Sequence, residues 1–160
     1  MKKKILIGSF IVLIFDQISK NLVDLFISLN DGITVIKKFF YLTYIYNEGA
    51  AWSILNGKRI FLILIGIVSL YLIYTFIKDF KENKRNIVAF SLIIGGILGN
   101  LFDRIFLGIV RDFLDFKIFG LNYPIFNIAD CAICIGVILL LIALIKGEDY
   151  GSSSTRRKKN

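Results

Sequence analysis

Four aspartates lie between residues 103 and 130, Asp103, Asp112, Asp115 and Asp130, in a chain that has no histidine. That inventory narrows the possible chemistry. Without histidine there is no Ser-His-Asp triad, no Cys-His pair and no H-E-x-x-H zinc site. A Ser–Lys dyad needs the two side chains to meet. Ser19 and Lys20 are neighbours that point apart on a helix, and Ser53 with Lys58 stays open with nothing in the sequence to support it. A pair of carboxyl groups is what remains. Two of them a few ångström apart cannot both ionise easily, so they share one proton. The charged member can take a proton from water and the neutral one can donate to a carbonyl oxygen, which is general acid–base hydrolysis with no metal and no cofactor. A low dielectric widens the gap between their two pKa values. Asp130 is one candidate. Spacing leaves its partner open, because Asp112 and Asp115 share a face if helical and oppose each other if extended.

The plainer reading of Asp130 is a helix cap. Asn127 and Asp130 are three apart just after Pro124, so Asn127 could be an N-cap and Asp130 its N3 partner in a capping box. That accounts for one acid and not for Asp103, Asp112 and Asp115 on the same side. Cys131 and Cys134 form a C-x-x-C in an apolar run. Nothing nearby completes a metal shell, so they read as small fillers.

The surrounding elements are membrane-like. The chain has 160 residues, 56% of them hydrophobic, and a mean hydropathy of +0.72. A span needs roughly 20 apolar residues to cross a hydrocarbon core of about 30 Å. Four stretches are predicted to do so, at about 5–27, 60–77, 87–102 and 125–145, within one membrane-embedded domain over 1–150. Met1–Phe15 has the lysines and apolar run of a signal peptide. It is followed by "DQISKNL" and more apolar residues, with no cleavage site, so it reads as a retained span.

The net charge is +8. Lys2, Lys3 and Lys4, then Lys78, Lys81, Lys84 and Arg85, then Lys146, Arg156, Arg157, Lys158 and Lys159 make up twelve of the 20 basic residues. Four spans put these segments on one face, which the positive-inside rule makes the cytoplasm. With Asp79, Glu82, Glu148 and Asp149 on the same side that face nets +8, and the remaining charges sum to zero. The excess therefore reads as topology and lipid attraction. No nucleic-acid partner is expected, since no aromatic–basic surface accompanies the charge. Residues 151–160 read as a disordered basic cytoplasmic tail.

Two connections face the other way. Residues 28–59 include "ITVIKKFFYLTYIYN", whose β-branched and aromatic content favours strand, followed by turn-like "NEGAAWS" and "NGKR". Tyr41, Tyr44, Tyr46 and Trp52 suit a membrane–water interface. A small sheet on the outer membrane surface is predicted there. Residues 103–124 read as a second loop, half-buried among headgroups. Inside the spans, Asp16 and Lys20 are four apart, in the order that suits an ion pair. They serve either the site or helix packing. Gly95 and Gly99 offer a small-xxx-small face for close helix approach. Asn100, Asp103 and Arg104 fall on one helix face, as a helix-end pair or as a polar shelf beside a reaction site.

Five blocks in order, "DQISK" (16–20), "NEGAAWS" (47–53), "GNLFDR" (99–104), "VRDFLDF" (110–116) and "FNIAD" (126–130), resemble those of the lipoprotein signal peptidases (signal peptidase II), four-helix membrane aspartyl proteases of bacteria. The resemblance implies an all-α four-transmembrane-helix bundle with a small extracytoplasmic β-sheet. It implies a catalytic dyad of Asp112 and Asp130. Asn47 and Arg104 would position the substrate backbone, with Gly49, Asn100 and Asn127 also at the substrate, and Asp103, Asp16 and Lys20 in support. Small residues Gly49, Ala50 and Ala51 would let a peptide pass close. Glu48, Trp52 and Arg111 fall at positions read as tolerant. The implied reaction cleaves diacylglyceryl-modified prolipoproteins just before the lipidated cysteine, at the outer face of the bacterial cytoplasmic membrane, by an enzyme expected to be a monomer among membrane lipids with both termini cytoplasmic. Two rival classes stand beside it. A small transporter or channel would distribute its acids through the bilayer depth, and a non-catalytic assembly factor would not need the two aspartates.

Overall fold

The computed structural model describes residues 1–50, 54–118 and 121–147. Ala51, Trp52, Ser53 and the basic tail at 151–160 lie outside the described residues, so the readings placed on them stand as expectations.

Four long helices are present: α1 (Lys2–Phe26), α2 (Arg59–Phe76, continued by a 3-10 turn at Ile77–Asp79), α3 (Lys84–Phe106) and α4 (Ile128–Ile145). Each is long and apolar enough to cross a membrane. Each predicted span coincides with one of these helices, with the largest boundary shifts in the third and fourth. The third helix is longer than 87–102 at both ends. Asn83 caps it, its side chain accepting from the Asn86 N–H at 2.8 Å, and Asp103 and Arg104 are helical residues rather than the start of a loop. The fourth helix starts at Ile128, not 125. The chain before it is extended: the Phe113 and Leu114 N–H groups both donate to the Phe126 carbonyl, at 3.0 and 2.8 Å.

The connections at one end of the bundle build a four-stranded antiparallel sheet, β1 (Gly32–Ile36), β2 (Phe40–Asn47), β3 (Val110–Ile118) and the two-residue β4 (Leu121–Asn122), in the order β1-β2-β3-β4. The first connection supplies its sheet as predicted. The second does more than lie among headgroups, because β3 pairs along β2. The ladder matches Leu42 with Leu114 and Ile45 with Asp112, with a register shift between those pairs. Phe116 stacks between Phe40 and Phe126, with ring centroids 4.5 and 5.7 Å apart. That stack ties the sheet to the entry of α4.

α3 is the central helix. It packs along both α1 and α4, and α2 leans on it from the side. Two apolar clusters close the bundle. Ile5, Ile77, Phe80, Phe90 and Ala143 do so at the end holding the termini. Val23, Ile27, Tyr44 and Phe113 do so under the sheet. The predicted glycine face is where α3 meets its neighbours. A Cβ on Gly95 would meet the Ser9 carbonyl oxygen at 2.7 Å, and one on Gly99 would meet Asp16 Oδ2 at 2.5 Å. The first is α1 backbone and cannot step aside without moving the helix; the second is a side-chain oxygen held by Lys20. Gly95→Val is therefore expected to lower the thermal midpoint in detergent, by an overpacking cost of roughly 1–3 kcal/mol. Gly66→Ala, whose Cβ would meet only the end of the Leu101 side chain at 3.3 Å, should leave the midpoint within a degree or two of the parent.

Candidate active site

At the sheet end two elements bring carboxyl groups together. β3 carries Asp112 and the first turn of α4 carries Asp130. The link between them is Asn127. As N-cap it accepts from the Asp130 N–H (3.1 Å), and its own backbone N–H donates to Asp130 Oδ2 (3.2 Å), which completes the capping box. The same side chain donates from Nδ2 to Asp112 Oδ1 (2.6 Å) and to Asn100 Oδ1 (3.1 Å). The plainer reading of Asp130 as a cap is thus correct, and it does not compete with the other. The cap is what carries Asp130 to Asp112.

Each oxygen of the pair has an amide. Asp112 Oδ2 accepts from Asn47 Nδ2 at 2.8 Å, and Asp130 Oδ1 accepts from Asn100 Nδ2 at 2.7 Å. Amide donors are neutral, so they orient a carboxyl without fixing its charge. Asn47 also shapes the turn after β2, its side-chain oxygen accepting from the Gly49 N–H at 2.9 Å. The Gly49 carbonyl accepts from Arg104 Nη2 at 2.9 Å. Asp112, Asp130, Asn47, Asn100 and Arg104 line one cavity of about 600 Å³, and its far wall, which includes Tyr123, Ile133 and Ile135, is mostly apolar.

Beneath these groups lies a cluster of four charges, all buried. Lys20 sits 2.8 Å from Asp16 and 3.4 Å from Asp103, and Arg111 Nη2 is 2.9 Å from Asp103 Oδ1. Two acids face two bases, so the cluster is neutral within itself, the condition under which buried charge is tolerable. Asp16 also accepts from the Ala129 N–H at 2.9 Å, which satisfies one of the four donors that α4 leaves unpaired at its start. Lys20 Nζ donates to Asn100 Oδ1 at 3.1 Å. With its oxygen held there and by Asn127, Asn100 must turn its NH₂ toward Asp130. The pair Asp16–Lys20 therefore does both things considered for it: it packs α1 against α3 and α4, and it orients an amide at the cavity.

Most of the residues singled out from the sequence meet here. Asp115 does not. It lies on the sheet, accepting from Thr43 Oγ1 at 3.0 Å, and is not among the cavity-lining residues; β3 is extended, so Asp112 and Asp115 diverge. Cys131 and Cys134 are free thiols in the cavity wall. One reading needs correction. Arg111, taken as tolerant, is 5% exposed. It reaches Asp103, Gln17 Oε1 (2.9 Å) and Asn21 Oδ1 (2.6 Å). Gln17 and Asn21 were passed over as well. The available signal was strand alternation, which turns residue 111 away from residue 112.

Burial, with the Asp130 charge adding to it, pushes the Asp112 carboxyl up from 3.8 to about 7, against the opposing pull of the Asn47 and Asn127 amides. A carboxyl raised in this way favours the folded protein when protonated. That stabilisation is complete below about pH 4, the ordinary aspartate range, and is lost as the pH rises through about 7. Infrared difference spectra should show a protonated-carboxyl band that titrates near pH 7 and is missing from Asp112→Asn. A band titrating near pH 4 would contradict the burial argument.

Comparison with known proteins identifies the family. A family model described as signal peptidase (SPase) II matches residues 9–146. The lipoprotein signal peptidases of Staphylococcus aureus strains JH9 and Newman are each 47% identical over 152 residues, covering 91% of this chain and 93% of theirs. Two solved bacterial membrane enzyme structures superpose with TM-scores of 0.82 and 0.79 at 44% identity. Each covers 89% of this chain, which in turn spans 87% and 92% of theirs. A match that runs through α1, the sheet, α3 and α4 alike takes in every element that contributes to the cavity, and this chain belongs to the signal peptidase II family.

Proposed function

We propose that this protein removes signal peptides from diacylglyceryl-modified bacterial prolipoproteins, cutting just before the lipidated cysteine, with Asp112 and Asp130 as a proton-sharing pair. One observation carries the reading. Two carboxyl groups from separate elements, held only by neutral amides, face one cavity whose other walls are apolar.

Near neutral pH the pair holds one proton. Burial of Asp112 supports it as the holder, which gives Asp130 the role of base. Asp130 takes a proton from a water molecule, and the water oxygen attacks the scissile carbonyl carbon. Asp112 donates its proton to the carbonyl oxygen, giving a neutral gem-diol. Asp130, now protonated, passes its proton to the leaving nitrogen as the C–N bond breaks, and the diol returns a proton to Asp112. Asn47, Asn100 and Asn127 keep the carboxyl oxygens aimed through this cycle. Arg104 holds the Gly49 segment and presents a cation to substrate carbonyls, and Gly49 leaves room for a backbone. The apolar walls suit acyl chains. A substrate anchored by both its signal helix and its lipid is already confined near the cavity, which lowers the entropic cost of orientation.

The charge bias supports both termini in the cytoplasm and, with them, the cavity at the outer face of the cell membrane. That is the face on which a translocated prolipoprotein presents its cysteine.

Purified Asp112→Asn and Asp130→Asn are each expected to fold, with turnover of a diacylated lipobox peptide reduced by 10³-fold or more, roughly the scale of losing a general acid or base. Chelators should leave the parent's activity unchanged, and the unlipidated peptide should be cut poorly or not at all. Parent-like turnover by either variant would sink the assignment.

A further inference from the structure

Asp112 lies where the β2–β3 ladder is least regular. The pairs Leu42↔Leu114 and Ile45↔Asp112 are separated by a register shift, so strand pairing alone does not fix where the carboxyl points. What adjoins it is Arg111. Its side chain faces away from the cavity into the bundle and is almost fully buried. Its Nε and Nη2 fork onto Asp103 of α3 at 3.2 and 2.9 Å, and its backbone N–H donates to the same carboxylate at 3.1 Å. Its remaining contacts are Gln17 and Asn21 of α1, and Gln17 Nε2 in turn donates to Asp103 Oδ1 at 3.2 Å. Both the side chain and the backbone of one β3 residue are thus pinned to helices, immediately before the residue that carries the carboxyl.

We propose that Arg111 is a positioning residue for the carboxyl pair, locking β3 onto α1 and α3 so that Asp112, on the strand's other face, is delivered to Asn47, Asn127 and Asp130. The inference rests on the proposed Asp112–Asp130 chemistry. A guanidinium suits the task better than an ammonium. Its planar fork fixes direction as well as distance, and a displacement of about 1 Å at a reacting group can cost on the order of 10²-fold in rate. The charges around Asp112 come from Asp130 on α4, Lys20 on α1 and Arg104 on α3. β2 contributes the neutral Asn47. Arg111 acts on the pair through placement, not through its own charge.

The test uses the full-length enzyme with a diacylated lipobox peptide and compares Arg111→Met, Arg111→Lys and the double variant Arg111→Met, Asp103→Asn. The double variant removes the buried carboxylate that Arg111→Met would strand, so it separates stability from placement. Arg111→Met is expected to lose about 10- to 100-fold in kcat with KM within about twofold, and Arg111→Lys less. With Asp112 loosened, the splitting between the two carboxyls shrinks, and the alkaline limb of the pH–rate profile moves to lower pH. The double variant should regain thermal stability without regaining kcat. A parent kcat and pH profile in Arg111→Met, or kcat returning with stability in the double variant, would overturn the proposal. Asp112→Asn and Asp130→Asn are run alongside. If both are inactive while Arg111→Met keeps its kcat, this inference alone fails. If either retains parent turnover, the carboxyl-pair chemistry fails first and takes this inference with it.

Discussion

A carboxylate at the edge of a bilayer must receive from the protein every hydrogen bond that water would have given it. Each unpaired polar group there costs several kcal/mol, so the site and its supports are solved together. Here the solution has two layers. The deeper one pairs Asp16 and Asp103 with Lys20 and Arg111, charge against charge. The upper one gives Asp112 and Asp130 amides alone. The difference is chemical. A carboxylate clamped by a guanidinium is held ionised, whereas one held by an amide is free to exchange its proton. The bundle thus keeps its permanently charged groups out of the cavity wall formed by Asp112 and Asp130, with Arg104 as the cation that shares it.

The fold follows from the need to bring those layers into contact. α3 supplies Asn100, Asp103 and Arg104 from one face and glycines from others, so it can lie close to α1 and α4 at once. The sheet closes the open end, and β3 enters it from α3 through a short turn, which places Arg111 over Asp103. Both layers of acids, Asp16 with Asp103 and Asp112 with Asp130, lie at this one end of the bundle.

Much of this was legible before any coordinates. Four apolar runs marked the long helices, and the β-branched stretch at 33–47 marked a small sheet. The acids were found by elimination, since a chain without histidine has few ways to move a proton. Boundaries failed where apolar counting ignores caps: Asn83 starts α3 earlier than its first isoleucine, and Asn127 starts α4 later than Pro124. β3 was hidden because "VRDFLDF" alternates imperfectly and pairs with a strand more than sixty residues away. Spacing also could not rank Asp112 over Asp115, since that depends on strand or helix, and only the resemblance to a family did so. Arg111, Gln17 and Asn21 escaped for a related reason. Their importance lies in what they touch across the bundle, and no local pattern records that.

Asn127 joins two tasks that most proteins keep apart. The amide that starts α4 is the same one that reaches Asp112. Until α4 has wound its first turn and β3 has docked against it, the two carboxyls have nothing to hold them side by side. The pairing of Asp112 with Asp130 is therefore a property of the assembled bundle, one that neither β3 nor α4 carries alone.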